Sequence, residues 1–338
     1  MREAIIAKPK VMEIREVPEV TRTPGYAIIN VEFCGVCGSE LHVYLGKHPK
    51  VKPPTAFAPG HEASGIIVDI SEGNHDFKIG DKVAIVPLVG CQECVYCQNG
   101  YPNLCVNRRV IGFQMPGCFA DKVAVPIENL VRLPEGCDAI DGALLEPMAV
   151  VVHSVALLNQ VPYKASQAII TGAGTIGLAI ALYLKQFHNM TVHIVEVNKQ
   201  RKKLAEKLGL QVHESVQDIS LGGMRPVIFE CTGNKAVLNS IITCDPAPEV
   251  LVILGTFDRS EEVNLFELCK REIMVIGSQM YVKSDVEKAA QIMSSPFKNE
   301  LRKIVSDKLF SLDEIQEAFE EALGGVKGTK VLVKVKKG

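Results

Sequence analysis

Four cysteines lie within one short stretch of the chain. Two residues separate the first from the second and the second from the third, and seven separate the third from the fourth: Cys91, Cys94, Cys97 and Cys105. Zinc accepts four thiolates in a tetrahedron, and a complete thiolate set leaves no position open for a substrate. The spacing therefore predicts a structural zinc site on a single loop. An iron–sulfur cluster, also held by four thiolates, stays open as an alternative, as do disulfides, which a reducing compartment disfavours.

Residues able to hold a catalytic metal occur at three other places. Cys37 opens the run 37–42, which reads CGSELH; His61 and Glu62 follow a glycine; and Glu146 precedes a proline. A thiolate, an imidazole and a carboxylate are all groups that bind zinc in sites that keep an open position. Each signal is weak alone, because a single histidine is more often a structural side chain than a ligand.

A glycine-rich turn follows an apolar run at 168–171, and an apolar helix pattern follows the turn. Gly172 would permit the tight turn, Gly174 would let a pyrophosphate approach the backbone, and Gly177 would allow close helix–strand packing. The N-terminus of the helix would offer free N–H groups to the phosphates. The predicted cofactor-binding residues of this turn are Gly172, Gly174, Thr175, Ile176 and Gly177.

Glu196 ends the next apolar run, nineteen residues after Gly177. A carboxylate at this place accepts hydrogen bonds from the ribose hydroxyls of the adenosine half and repels a 2′-phosphate. We therefore predict NAD rather than NADP as the cofactor. Arg201, a further predicted cofactor-binding residue, and Lys199 could attract such a phosphate. A glycine turn of purely structural use is the alternative interpretation.

The elements that must position these residues change character along the chain. Up to about residue 147 the pattern is strand-rich: side chains alternate between apolar and polar in 29–33, and similar stretches occur at 63–70 and 82–87. Turns rich in glycine, proline and aspartate separate these stretches. This pattern predicts a compact, partly open β-barrel with long loops, one of which carries the segment 91–105.

From about residue 165, strands and helices alternate. Apolar runs predict buried parallel strands at 168–171, 192–195, 227–231, 250–254 and 273–277, with helices at 176–187 and 199–208 between them. Repeated βαβ units indicate an open, doubly wound α/β sheet. A last helix is predicted over 312–323, because Ser311 and Glu314 have the spacing of a capping box.

The chain has 338 residues, enough for two domains. We predict a catalytic domain of residues 1–147 and 284–338, with a nucleotide-binding domain of residues 148–283 inserted between its parts. Lys and Arg total 37 against 39 for Asp and Glu, so a net charge of −2 gives no basic footprint for nucleic acid. The short basic clusters at 201–203 and 334–337 are interpreted as the ends of a helix and a strand.

The first residues carry too many charges for a signal peptide, and no run approaches the roughly 18 apolar residues of a membrane span. We therefore expect a cytoplasmic protein without membrane contact, whose thiols stay reduced. Six of its eleven cysteines lie outside the two ligand sets and are expected to be small buried side chains. They are Cys34, Cys118, Cys137, Cys231, Cys244 and Cys269.

The motifs and their order resemble the zinc-binding medium-chain dehydrogenases of the alcohol dehydrogenase superfamily. The resemblance covers nearly the whole chain, and the matching segments are 34–39 (CGVCGS), 60–62 (GHE), the four-cysteine loop, 146–147 (EP), the glycine turn, 230–233 (ECTG) and 328–331 (GTKV). It implies a GroES-like, partly open β-barrel domain and a Rossmann domain with a doubly wound parallel sheet. It also implies that Thr232, within ECTG, contacts the cofactor.

The same resemblance implies that Cys37, His61 and Glu62 hold a catalytic zinc, with Glu146 as a fourth ligand or close neighbour. Three such ligands just neutralise the charge of Zn²⁺, whereas Glu146 would make the site net negative and a poorer Lewis acid. We therefore hypothesise that Glu146 is labile, binding directly in the resting enzyme or through water when substrate enters. Each chain is thus predicted to carry two zinc ions, one catalytic and one structural.

In such enzymes zinc lowers the pKa of the substrate hydroxyl, and hydride then leaves the carbinol carbon for the nicotinamide. The resemblance implies that Ser39 contacts the reacting oxygen and that His42 relays its proton outward; turn and surface structure are the alternative for both. Glu40 stands where most relatives carry an aspartate that orients the zinc-ligand histidine, so its role is left open.

The Glu62 and Glu146-Pro147 pattern is more similar to the sorbitol and threonine dehydrogenases than to simple alcohol dehydrogenases. Where sorbitol dehydrogenases carry an Arg-Tyr pair, this chain has Met280-Tyr281, and the lost arginine removes a polar clamp for hydroxyl groups. We predict a secondary alcohol of a small polyol, sugar or sugar acid as substrate. Residues that could line its pocket, or equally be loop structure, are Tyr44, Lys47, His48 and Phe113.

Other functions stay open at this point. A threonine or vicinal-diol dehydrogenase would use the same zinc and NAD, and a reductase of the superfamily needs no catalytic metal. A nucleotide-binding sensor without catalysis is the remotest alternative, because fold alone does not establish activity. The resemblance also implies a homodimer or homotetramer, for which the apolar strand at 273–277 is a candidate contact.

Overall fold

The computed structural model describes residues 1–73, 75–257, 260–324 and 328–336. Lys337, the last residue of the second basic cluster, lies outside the described residues. The strands are β1 (Arg2–Lys8), β2 (Val11–Glu16), β3 (Tyr26–Val36), β4 (Glu62–Ile70), β5 (Lys82–Ile85), β6 (Leu88–Val89), β7 (Arg109–Val110), β8 (Lys122–Pro126), β9 (Leu130–Arg132), β10 (Gln167–Thr171), β11 (Thr191–Val195), β12 (Gln211–His213), β13 (Val227–Glu230), β14 (Val250–Ile253), β15 (Met274–Gly277), β16 (Phe310–Ser311) and β17 (Val331–Lys334).

The α-helices are α1 (Gly38–Tyr44), α2 (Val95–Gln98), α3 (Ala139–Ala156), α4 (Thr175–Phe187), α5 (Lys199–Lys207), α6 (Lys235–Thr243), α7 (Leu265–Lys270), α8 (Lys283–Met293), α9 (Phe297–Arg302) and α10 (Ile315–Gly324). Short 3₁₀ turns lie at Pro102–Leu104, Ile127–Asn129, Leu157–Gln160, Val216–Asp218 and Leu312–Glu314. The predicted capping box is confirmed: the Glu314 carboxylate accepts from the Ser311 N–H at 2.8 Å. It begins the 3₁₀ turn that leads into α10.

The chain divides into two compact units. The first comprises Met1–Ala149, Val282–Gly324 and the C-terminal segment from Lys330; the second comprises Val150–Tyr281 and a short segment that ends at Thr329. The sequence placed the boundaries at 147/148 and 283/284, and it did not anticipate the short return of the chain to the second unit.

In the first unit, strands pair in the order β16-β17-β3-β4-β5-β9, and β8 also pairs with β3. The long strand β3 runs antiparallel to β4, from the pair Ala27 with Ile70 to the pair Gly35 with Glu62. Side chains from one face of these strands form a buried apolar core with Phe119. This arrangement confirms the predicted β-barrel. The N-terminal hairpin of β1 and β2 was not predicted.

In the second unit, six described strands form a parallel sheet in the order β12-β11-β10-β13-β14-β15. The order reverses between β10 and β13, which creates the topological switch point where doubly wound sheets bind dinucleotides. The predicted strands and the helices α4 and α5 are confirmed, but β15 is not buried as predicted: Val275 and Gly277 are exposed and the other two residues are half-buried. The short edge strand β12 was missed, because three residues give too little periodicity for a prediction.

Helix α3 departs from the expectation that no segment has the composition of a membrane span. Together with the following 3₁₀ turn it forms the segment Ala139–Gln160, 22 residues with a mean hydropathy of 1.5 in its most apolar window. By length and composition alone this segment could cross a membrane. However, 72% of that window is buried inside the protein, which is typical of a core helix.

A glycine in β4 allows a close approach between two strands of the barrel. A Cβ atom at Gly65 would lie 2.2 Å from the carbonyl oxygen of Asn30 in β3, beside a shift in the β3–β4 register. By contrast, a Cβ atom at Gly277 in β15 would meet nothing within 4 Å. Glycine is therefore sterically required at the first position and not at the second.

We predict that Gly65→Ala lowers the free energy of unfolding of the first unit by about 2 kcal/mol or more, because the backbone of β3 cannot yield without losing ladder hydrogen bonds. The matched control is Gly277→Ala, for which a change within about 0.5 kcal/mol is expected. Differential scanning calorimetry of both variants measures the effect. Equal melting curves for the two variants would contradict the steric argument.

Candidate active site and metal centres

The dispersed ligand set comes together where β3 ends and β4 begins. Cys37 follows β3 and caps the N-terminus of α1, while His61 directly precedes β4 and Glu62 is its first residue. The antiparallel pairing of Gly35 with Glu62 brings these two chain ends side by side. One ligand atom from each of the three side chains lies within 4.8 Å of the others. Both His61 and Glu62 are buried, so a metal held here would be largely shielded from water.

Glu40 supports two of the three ligand residues, Cys37 and His61, through hydrogen bonds. Its carboxylate accepts a hydrogen bond from the backbone N–H of Cys37 at 2.8 Å and forms another with Nδ1 of His61. An imidazole whose Nδ1–H donates to a carboxylate keeps the lone pair of Nε2 for a metal. The additional methylene relative to aspartate therefore does not prevent support of the histidine. Glu40 is fully buried, which holds it in this role.

Lys330, at the start of the C-terminal segment, is a fully buried cation that the sequence analysis did not single out. Its ammonium group forms an ion pair with the Glu62 carboxylate and donates to the carbonyl oxygen of Val36 at 3.3 Å. Burial lowers the pKa of Lys330, but Glu62 and Cys37 raise it above its usual value overall. The lysine stays charged. Its only sequence signal was its place in the GTKV segment of the family resemblance.

The charges around the ligand set favour a cation at its centre. Burial lowers the pKa of His61, but the Glu40 carboxylate and the Cys37 thiol raise it well above its usual value overall. The same surroundings would stabilise a bound metal ion. The charge of Lys330 offsets that of Glu40, so the balance expected from the three ligands and Zn²⁺ alone is unchanged. The donor set of sulfur, nitrogen and oxygen fits a zinc ion.

Other predicted residues lie at varying places around this set. Ser39 and His42 are on α1, which starts directly after Cys37, and both are partly exposed. Glu146 is buried on α3, but its carboxylate is not one of the atoms within 4.8 Å of the set. Direct binding of Glu146 therefore stays a prediction.

The candidate pocket residues separate into two groups. The centroid of the Phe113 ring lies 5.4 Å from that of His61 and 5.5 Å from that of His48. Phe113 and His48 are therefore near the ligand set. Lys47 is exposed. The prediction of Tyr44 as a pocket residue is wrong. Its hydroxyl donates to the backbone carbonyl oxygen of Lys10, and its ring packs on Phe319 in the core. Its spacing on α1 gave no sign of which face is buried.

The four cysteines of the loop also converge. Their sulfur atoms all lie within 4.8 Å of one another, and those of Cys91 and Cys97 are 4.0 Å apart. Sulfurs at about 2.3 Å from a tetrahedral zinc are about 3.8 Å from one another, so the loop matches the ion. All four thiols are free, which disfavours the disulfide alternative.

Local hydrogen bonding favours the ionised form at one of these thiols. Backbone N–H groups of Glu93 and Cys94 lower the pKa of Cys91 to about 6. Burial and the neighbouring thiols raise the pKa of Cys97 to about 12. Four thiolates are therefore not stable together without a cation, and a zinc ion would supply the missing positive charge.

The glycine turn after β10 has the geometry that its sequence predicts. Gly172 has a φ of +94°. A Cβ atom at Gly177 would lie 1.9 Å from the carbonyl oxygen of Gly172. A Cβ atom at Gly174 would meet nothing within 4 Å, so the turn is open where a pyrophosphate would approach. Thr175 and Ile176 begin α4, and the Thr175 hydroxyl donates to the Thr329 carbonyl at 2.6 Å. The turn therefore fits a dinucleotide.

Glu196 is more deeply engaged than the sequence suggested. It is buried, and its carboxylate accepts from the backbone N–H groups of Ala173 at 2.9 Å and of Val197 and Asn198 at 2.8 Å. A carboxylate offers about four acceptor sites, so one remains for a ribose hydroxyl. Arg201 lies on α5, and its Nε atom is buried without a hydrogen-bond partner among the described residues.

Thr232 is held by an acidic neighbour whose role was missed. Its backbone N–H and its hydroxyl both donate to the carboxylate of Glu230, the fully buried last residue of β13. The methyl group of Thr232 would lie 3.0 Å from a Cβ atom at Gly172. The threonine therefore lies beside the glycine turn, and its hydroxyl proton is already used in the hydrogen bond to Glu230. The sequence signal for Glu230 was its position at the end of a strand.

Half of the six remaining cysteines are buried as expected, two are only partly buried and one is exposed. Cys34, Cys118 and Cys244 are buried, and Cys137 and Cys231 are partly buried. The expectation for Cys269 is wrong, because this residue is exposed on α7. Helix α7 has only six residues, too few for its buried face to be predicted from the sequence.

We predict that Cys94→Ser lowers the melting temperature by several degrees and the zinc content by about one ion per chain, because metal binding and folding of the loop are coupled. The matched control is Cys269→Ser, which removes an exposed thiol outside both ligand sets. Calorimetry and metal analysis by mass spectrometry are the measurements. An unchanged zinc content and melting temperature in Cys94→Ser would refute the structural zinc.

Comparison with known families agrees with this geometry. Residues 23–135 match the alcohol dehydrogenase GroES-like domain, and residues 139–332 match the glucose dehydrogenase C-terminus. The two matches cover most of the chain. They divide it between β9 and α3.

Individual relatives match over nearly their whole length. The chain is 30% identical to 2-dehydro-3-deoxy-L-galactonate 5-dehydrogenase of Pseudoalteromonas atlantica, over 91% of each chain. It is 30% identical to sorbitol dehydrogenase of Halalkalibacterium halodurans, over 95% of this chain and 94% of that one. The crystal structure of 2R,3R-butanediol dehydrogenase from Bacillus subtilis superimposes with a TM-score of 0.84 at 27% identity, over 99% of both chains. The chain therefore belongs to the zinc-dependent medium-chain dehydrogenases of the alcohol dehydrogenase superfamily.

Proposed function

We propose that this protein oxidises a secondary alcohol of a small polyol, sugar or sugar acid to a ketone, with NAD as hydride acceptor. A zinc ion held by Cys37, His61 and Glu62 would assist the reaction. The observation that carries the proposal is the convergence of these three ligands, two of them buried, with Glu40 hydrogen-bonded to His61 and Lys330 ion-paired with Glu62. A ligand set this costly to bury has no evident structural use.

Zinc, when bound, lowers the pKa of an alcohol hydroxyl that it contacts and stabilises the negative charge on its oxygen. The residues of the chain then have three tasks: to hold the alcohol, to remove its proton and to exclude water. We assign the first proton transfer to Ser39, two residues after Cys37, and the outward relay to His42 on the same helix. The partial exposure of both side chains supports such a path to solvent.

The role of Glu146 follows from charge. Cys37, Glu62 and Glu40 are balanced by Lys330 and a divalent ion, so a further carboxylate on the metal would make the site net negative. We propose that Glu146 would be a labile ligand of a bound metal, direct in the resting enzyme or through water when substrate enters. Its position on α3, outside the three-ligand group, is compatible with such a labile contact.

The substrate class rests on the relatives. Two of them act on a sugar acid and on sorbitol, and a third on a vicinal diol, according to their names. All three substrates carry a secondary alcohol beside further hydroxyl groups. The lost arginine at Met280 argues against sorbitol itself. Threonine and simple vicinal diols stay the alternative substrates, and a sensor without catalysis is the remote one.

We further propose a soluble, cytoplasmic homodimer or homotetramer. Strand β15 is an edge strand of the parallel sheet, and Val275 on it is 45% exposed. An apolar edge strand is a natural site for pairing with a second copy. Size-exclusion chromatography with light scattering tests the oligomeric state, and a monomer at micromolar concentration would refute this part of the proposal.

We predict that the purified protein reduces NAD with at least one member of a panel of polyols, sugar acids, vicinal diols and L-threonine. In Cys37→Ser, kcat/KM falls by about a thousandfold or more and one zinc ion per chain is lost, because the ligand set is broken. NADH binding, measured by fluorescence, persists, and Cys269→Ser serves as the control. Normal turnover in Cys37→Ser would show that the ligand assignment is wrong.

We predict that Glu196→Ala reduces the preference for NAD over NADP by about tenfold or more, because it removes a charged acceptor for the ribose and the repulsion of a 2′-phosphate. Dissociation constants of both cofactors measure the change. The matched control is Glu214→Ala, an exposed carboxylate after β12 whose partner is Lys202. An unaltered preference would reject the proposed role of Glu196.

A further inference from the structure

Two buried carboxylates lie at the carboxyl ends of the strands that flank β10. Glu196 follows β11, and Glu230 ends β13. Each accepts hydrogen bonds from the turn that follows its strand, and neither forms an ion pair with a lysine or arginine within the described part of the chain. The Rossmann fold explains a carboxylate after β11, where the adenosine ribose binds. It gives no such reason for the Glu230 carboxylate at the end of β13.

Glu230 ties together the turns that follow β13 and β14. Its carboxylate accepts from the N–H groups of Thr232 at 2.7 Å and Gly233 at 3.0 Å, and from the Thr232 hydroxyl. Its carbonyl oxygen accepts from the N–H groups of Leu254 and Gly255, both at 2.9 Å. A Cβ atom at Gly255 would lie 2.3 Å from the carboxylate. The two turns are thus packed directly around this side chain.

The surroundings of Glu230 suit its ionised form. Its carboxylate accepts from two backbone N–H groups, which can only donate, and from the Thr232 hydroxyl, which itself accepts from the N–H of Asn234. The side chain is fully buried, so water does not screen its charge. A negative charge in such a place acts on its neighbourhood over a longer range than one in solvent.

The position of Glu230 is the nicotinamide side of the dinucleotide crevice. It pairs in register with Thr171 of β10, immediately before the glycine turn. Dinucleotides lie across the point where the strand order reverses, with one mononucleotide on each half of the sheet. Glu196 belongs to the half that takes adenosine, so the half of β13–β15 takes the nicotinamide. Oxidised nicotinamide carries a positive charge, and the reduced ring is neutral.

We propose that Glu230 is a positioning residue whose buried negative charge strengthens binding of NAD⁺ relative to NADH. The inference deepens the proposed function and rests on NAD as its hydride acceptor. By holding the turn at Thr232, the carboxylate shapes the nicotinamide side of the crevice. By its charge, it shifts the equilibrium on the enzyme toward the oxidised cofactor, the form consumed when an alcohol is oxidised.

Coulomb's law gives the scale of the effect. At an effective dielectric constant of about 20, a unit charge acting over roughly 10 Å changes a binding constant about tenfold. The hydrogen bonds to Glu230 disperse part of its charge. We therefore expect an effect of about three- to tenfold.

The experiment compares Kd for NADH, from fluorescence, with Kd for NAD⁺, from displacement of NADH, at one pH. In Glu230→Gln the ratio of Kd for NAD⁺ to Kd for NADH is expected to rise by about three- to tenfold. The matched control is Glu196→Gln, a buried carboxylate on the adenosine side, which both forms share. There the two affinities fall equally and the ratio stays that of the wild type.

A second variant tests the opposite sign. Thr232→Val removes one donor from the Glu230 carboxylate and leaves its charge less dispersed, so the ratio is expected to fall by about twofold. A ratio that stays constant in either folded variant, or moves the other way, overturns the charge effect. Wild-type protein that binds neither form of the cofactor would instead refute NAD itself, and with it the proposed function.

Discussion

The buried ion pair of Glu62 and Lys330 is the interaction on which the rest of the candidate active site depends. The Glu62 carboxylate and the Cys37 thiolate would repel each other in a dry place and resist burial. Lys330 forms an ion pair with this carboxylate, and Glu40 forms hydrogen bonds with the His61 imidazole and the backbone N–H of Cys37. With these partners, three metal ligands can be kept together in a fixed arrangement before any ion is bound.

The same principle recurs in the second unit. Glu196 and Glu230 are carboxylates buried at strand ends, but backbone N–H groups rather than a lysine satisfy them. Each organises the turn that follows its strand, and the two turns lie on either side of the glycine turn that suits a pyrophosphate. Much of the chemistry of this protein thus depends on placing negative charge where water is scarce and giving it donors.

The sequence predicted the elements that repeat a strong pattern. The strands of the parallel sheet, the helices α4 and α5 and the glycine turn all have periodicities or spacings with a direct physical cause. Lys330 and Glu230 could not be assigned a role, because their partners lie far away in sequence or depend on the exact path of a turn. Tyr44 and Cys269 show the same limit, since the buried face of a short helix follows from packing and not from local sequence.

The most direct test of the account is anomalous diffraction from crystals of active protein, recorded on both sides of the zinc absorption edge. We predict two zinc peaks per chain: one surrounded by the four sulfurs of Cys91, Cys94, Cys97 and Cys105, and one between Cys37, His61 and Glu62. Fully active protein without the second peak would contradict the central claim.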